Sequence, residues 1–144
     1  MSDNISITFG TPEHGWLPID FHYKDFHLNF DASDCLNDPI GELYTAVTEL
    51  QNNETKRITW WLEPAAYFFD IESKGKSIVL TIIETDDLHD QQADIARLIK
   101  ITGDDKEIIE PFRIMLRQFA SKNYEKNHWP YNLDQNKIKN LRQH

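Results

Sequence analysis

The sequence predicts an α+β fold: an antiparallel sheet of five to seven strands with two main helices packed on one face. Three observations predict it. Apolar and polar residues alternate along most of the first hundred positions, the period of a half-buried strand. That alternation gives way to helical spacing only twice, and strands that run together argue for antiparallel pairing rather than a βαβ array. Finally, 144 residues with 40% hydrophobic side chains, among them eight Phe, five Tyr and four Trp, supply one real core. A chain of this length can bury roughly 70% of its extended surface without a staple. No internal repeat and no linker rich in Gly, Pro or Ser divides it, so residues 1–144 are read as a single domain. Its segment 128–144 is a C-terminal tail with enough apolar side chains to pack.

The elements follow in order. Residues 4–9 alternate and stop at Gly10 and Pro12, which marks a short strand and a turn. Leu17, Ile19, Phe21 and Tyr23 then alternate with polar partners, as do Phe26, Leu28 and Phe30. A two-residue turn at Lys24-Asp25 puts all seven apolar side chains on one face, because a tight hairpin preserves the period. Asp38-Pro39 is a helix start, an Asp cap followed by Pro in the first turn. Ile40, Leu43, Val47 and Leu50 continue it at spacings of three and four, giving a helix over about 39–51.

Residues 56–63, 66–73 and 76–85 read as three strands of a meander, separated at Glu63-Pro64 and Lys74-Gly75. Asp86 to Gln92 is acidic and reads as a loop, and 94–101 is read as an edge strand, a helical turn being the alternative. A longer helix starts after Gly103-Asp104-Asp105, with Ile108, Phe112, Met115 and Phe119 on one stripe and Ile109 and Leu116 beside it. Pro111 lies inside that pattern, so the helix either kinks there or begins later than its periodicity implies. In the tail, Asp134 is placed to cap a final short helix.

The net charge is −9, and it is unevenly spread. Residues 1–105 carry twenty carboxylates against seven Lys and Arg, or −13, whereas residues 106–144 carry four against eight, or +4. Such a field repels phosphate backbones and steers basic partners in over a Debye length of roughly 8–10 Å. Nucleic acid is therefore not expected as a ligand. The apolar run Ile78 to Ile83 is far short of the roughly 18 residues that span a bilayer, so no membrane association is expected. A lone Cys35 and an N-terminal region without an apolar stretch after a basic start point to a reducing cytoplasm.

No assembled chemistry is visible. Cys35 lies among Asp31, Asp34 and Asp38, which suppress a thiolate, and the five glycines are scattered singly rather than gathered into a phosphate loop. Asp70 and Glu72, or Glu63 across the turn, would act as acid and base only if burial set their pKa values apart. The hairpin register puts His22 opposite His27, with Asp20 and Asn29 one pair further on. Two imidazoles and a carboxylate suit a divalent ion, but no fourth ligand is indicated, so the pair is expected as cross-strand neighbours without a metal. Asp86, Asp87, His89, Asp90 and Asp94 lack the Gly and terminal Glu of a calcium loop. The sequence thus predicts neither enzyme nor cofactor.

The feature with weight is aromatic. Trp60 and Trp61 must point to opposite faces of their strand, as must Phe68 and Phe69 of the next. With Ile58, Trp60, Leu62, Phe69 and Ile71 turned to the helices, Trp61, Phe68, Val79 and Ile83 share the other face with Thr59, Asp70, Glu72 and Thr81. That is an aromatic patch rimmed by carboxylates. Either the tail covers it through Trp129, Tyr131 and Leu133, or it binds a protein, since aromatics anchor interfaces and charges rim them. The candidate contact residues are Trp61, Phe68, Asp70, Glu72, Asp86 and Asp87.

Gly15-Trp16-Leu17-Pro18-Ile19-Asp20, the run Asp31-Ala32-Ser33-Asp34 ahead of a helix, and Trp60-Trp61-Leu62-Glu63-Pro64, together with the acidity and the α+β layout, give the chain a resemblance. It resembles the small bacterial immunity proteins of contact-dependent growth inhibition and related polymorphic toxin systems. The resemblance implies a cytoplasmic antitoxin that binds and occludes one cognate toxin domain, often a basic nuclease, with no catalytic residues of its own. The alternatives are a non-catalytic accessory or regulatory subunit with another protein partner, and then an enzyme of unrecognised type.

Overall fold

The computed structural model describes residues 4–87, 95–131, 133 and 141. In chain order the elements are β1 (Ser6–Phe9), β2 (Trp16–Tyr23), β3 (Phe26–Ser33), α1 (Pro39–Glu49), β4 (Thr55–Trp61), β5 (Ala66–Lys74), β6 (Ser77–Thr85), β7 (Ile95–Gly103), α2 (Asp105–Ile108) and α3 (Glu110–Ala120). All strand pairs are antiparallel, in the orders β1-β2-β3 and β4-β5-β6-β7.

The fold is α+β, as expected, but its strands make two sheets rather than one. The chain between β3 and β4 is taken up by α1 and its flanks, and the two strands do not pair. Each sheet is apolar on one face, and each buries that face against the other instead of extending it edge to edge. Phe21 of the small sheet meets Phe69 of the large one at 5.6 Å between ring centroids, and Phe30 meets Trp60 at 5.7 Å. The helices close the same core: Phe112 lies 6.4 Å from Phe69, and Phe119 lies 5.2 Å from Phe9 of β1. Nor do the two main helices share one face of one sheet, since α1 packs on β4 and α3 on β1.

Local chemistry sets the boundaries. The turn at Lys24-Asp25 pairs Tyr23 with Phe26, His22 with His27 and Ile19 with Phe30, the register the alternation requires. Leu17, Ile19 and Phe21 are fully buried as a result. Asp38 caps α1 by accepting the Gly41 N–H at 3.0 Å, with Pro39 in the first turn. Residues 95–103 are a strand, with a bulge where β7 passes Ile82 and Ile83. The long helix expected after Gly103 is two helices: α2 is closed by an Asp104–Glu107 capping box, and Pro111 stands in the first turn of α3, where its missing N–H costs nothing. Arg113, only 6% exposed, joins them by forking onto Asp105 at 2.7 and 2.8 Å and reaching Glu110 at 3.1 Å.

The described part of the tail does not lie on the second face of the large sheet. Trp129 and Leu141 are buried in the main core, the Gly15 N–H donates to the His128 carbonyl at 2.8 Å, and the Tyr131 hydroxyl donates to the Asp34 carbonyl at 2.9 Å. The described part of the tail therefore closes the end of the β2–β3 hairpin remote from its turn. The helix start expected at Asp134 and the segment 88–92 of the acidic loop fall outside the described residues.

Candidate functional site

Sequence placed the contact face on the large sheet, and the register brings its strand residues together there. Thr59 pairs with Phe68, Arg57 with Asp70, Phe68 with Ile83, Asp70 with Thr81 and Glu72 with Val79. Trp61, Ala66 and Phe68 form a small cluster of their own with Ile83, separate from the main core. Its aromatics are less open than expected, Trp61 being 9% and Phe68 8% exposed. Arg57 accounts for part of this, because its guanidinium lies 4.2 Å over the Phe68 ring while it forks onto Asp70 at 2.7 and 2.9 Å. Asp70 in turn raises the Arg57 pKa through that bond. Glu72 sits 3.7 Å from Lys74, and Asp86 and Asp87 follow the end of β6.

The second open face belongs to the small sheet. Leu17, Ile19 and Phe21 point inward, so Trp16, Pro18, Asp20 and His22 point outward, the last three beside their partners Asp31, Asn29 and His27 and Trp16 opposite the buried Ser33. Trp16 is 38% exposed, the one Trp among the four that presents a large surface. It opens a cleft of about 500 Å³ with Thr11, Glu13, His14, Pro18 and Asp31. The shape comes from a tight turn: Glu13 and Trp16 exchange both backbone hydrogen bonds, at 3.0 and 2.9 Å, across His14 and Gly15. Gly15 has φ +85° and a Cβ there would stand 2.6 Å from Asp34 Oδ1, so only glycine fits. Sequence reasoning missed this site, although the signal was present: a Trp in the polar phase of an amphipathic strand is out of pattern.

Farther along the same face, Asp20 gathers three donors. His22 Nε2 donates to Oδ2 at 2.8 Å, His27 Nε2 donates to Oδ1 at 2.6 Å, and Asn29 Nδ2 donates to Oδ1 at 3.2 Å. The two imidazoles stack at 3.9 Å with 14° between their planes. The His27 bond, then that from Asn29, holds the Asp20 carboxyl at a pKa of about 2. Asp20, His22 and His27 are the one group among the described residues whose ligand atoms, all within 4.8 Å of one another, suit a metal ion.

None of the described helices is long and apolar enough to cross a membrane. Comparison with family models, with curated proteins and with solved structures gives no match for this chain.

Proposed function

We propose that the chain is an immunity protein, a binding module that occludes a basic partner, in the first place a nuclease toxin domain. The observation that carries this reading is Trp16, a half-open aromatic that lines one cleft with Glu13 of the preceding turn and Asp31 of β3. An exposed Trp with an acidic rim is the composition of an interface anchor for a cationic surface. The −13 charge of residues 1–105 supports it, since the described ion pairs of the basic segment, Arg113 and Arg117 with Asp105 and Glu110, do not reach the acids of either sheet. Asp70, Glu72, Asp86 and Asp87 add to the field, and Trp61 and Phe68 are the further anchors once Arg57 swings aside.

The test is protection. Co-expressed with a toxin-like domain encoded by the neighbouring reading frame, the chain restores growth and co-purifies in equal stoichiometry. Growth arrest unrelieved by the chain, with no complex on size-exclusion chromatography, overturns the reading.

A further inference from the structure

We propose that Asp20, His22 and His27 form a binding site for one divalent transition-metal ion of the zinc class, with solvent completing its coordination. The missing fourth protein ligand weighed against a metal in the sequence, but a three-ligand site with a water in the open position is an ordinary arrangement for zinc. Imidazole and carboxylate are donor types that zinc takes alongside thiolate, and two imidazoles in the set disfavour magnesium and calcium, which take oxygen ligands.

The geometry is nearly assembled. Both Nε2 atoms already converge on one carboxylate, at 2.8 and 2.6 Å. An ionised carboxylate only accepts, so each Nε2 carries its proton there, and a cation bound at Nε2 displaces that proton to Nδ1 of a neutral ring or, from an imidazolium, to solvent. Bonds of about 2.0–2.2 Å to a tetrahedral ion place ligand atoms roughly 3.3 Å apart, so the two imidazole–carboxylate separations have to open slightly within a group whose ligand atoms already lie within 4.8 Å of one another. Exposed rotamers on a strand face allow this, because the two side chains are 48% and 51% exposed.

The scaffold beneath is rigid. Phe21, between Asp20 and His22, is fully buried, and His27 is fixed opposite His22 by the hairpin register. Asn29 holds the carboxylate in orientation from outside the ligand set, the usual support of a metal-binding side chain. The second imidazole pair, His14 and His128, differs in that its rings are tilted at 5.0 Å and the His128 Nδ1 is occupied by the His14 N–H.

Isothermal titration of the full chain, purified with chelator and then given zinc chloride alone, tests the proposal beside imidazole nitrogen NMR shifts. One zinc per chain is expected, with the shifts confined to His22 and His27. His22→Gln and His27→Gln each abolish that stoichiometric step, Asn29→Ala weakens it about tenfold, and His128→Gln leaves it unchanged. Circular dichroism of the variants confirms that they fold. Absence of saturable binding, or binding that survives both His22→Gln and His27→Gln, overturns it.

Discussion

Ser33 and Glu63, thirty residues apart, join the two sheets: the Ser33 hydroxyl at the end of β3 donates to Glu63 Oε2 at 2.5 Å just beyond β4. Ser33 is 1% exposed, and its Oγ also accepts the Cys35 N–H at 3.1 Å. A hydrogen bond to a charged acceptor is worth about 1.5–3 kcal/mol, less here because Glu63 regains water when the bond is lost. Ser33→Ala is therefore expected to lower the unfolding free energy by about 1–2 kcal/mol in urea titration, whereas Glu63→Gln, which keeps an acceptor, costs less. A Ser33→Ala chain as stable as the parent contradicts this role.

The core is unequally divided between the two faces of the large sheet. Phe69 meets Phe21, Phe30, Trp60 and Phe112, so it is where both sheets and α3 converge. Phe69→Ala is expected to cost about 3–5 kcal/mol. Phe68, its neighbour, faces the small cluster under the Arg57 guanidinium, and Phe68→Ala is expected to cost only about 1–3 kcal/mol. Equal losses in denaturant would place the structural weight on the wrong face.

Asp20 gives a pH dependence with a definite sign. Its carboxyl falls from 3.8 to about 2 in the fold, so the native state favours the ionised form. The stabilisation is complete above 3.8 and is lost as the pH falls through about 2. Side-chain carboxyl NMR is expected to show Asp20 titrating well below 3.8, and Asp20→Asn removes this part of the acid sensitivity. A midpoint at or above 3.8 contradicts the hydrogen-bonded cluster.

Much of this fold was legible because it is written in local periods. The hairpin register, the Asp38 cap and the inward phase of Trp60 and Phe69 follow from alternation and capping chemistry alone. The separation into two sheets was not legible, since no period reports whether the edges of β3 and β4 meet. The same limit hid the tail: Trp129 reads as an apolar residue in search of a surface, and only the chain path brings it under Gly15 rather than over Trp61. On the large sheet the alternation puts Phe68 and Asp70 on one face, as the register has them, but gives no sign that Arg57 lies over Phe68. Trp16 precedes the alternation that begins at Leu17, and a strand's first residue is easily assigned to the turn before it.

The central claim, a cationic partner held by carboxylates and exposed aromatics, is tested most directly by surface plasmon resonance of the chain against the neighbouring toxin-like domain across a salt series. The account predicts association that slows as salt rises, because the Debye length shrinks from about 10 Å at 0.1 M to about 3 Å at 1 M. Charge reversal to Lys at Glu13 and Asp31 is expected to slow association about tenfold and to flatten that dependence, with smaller effects for Asp70 and Glu72 or Asp86 and Asp87. Trp16→Ala is expected to speed dissociation by about 30-fold, the loss of an anchor worth about 2 kcal/mol, and Trp61→Ala by less. Binding that is undetectable at micromolar concentrations, or indifferent both to salt and to these substitutions, would contradict it.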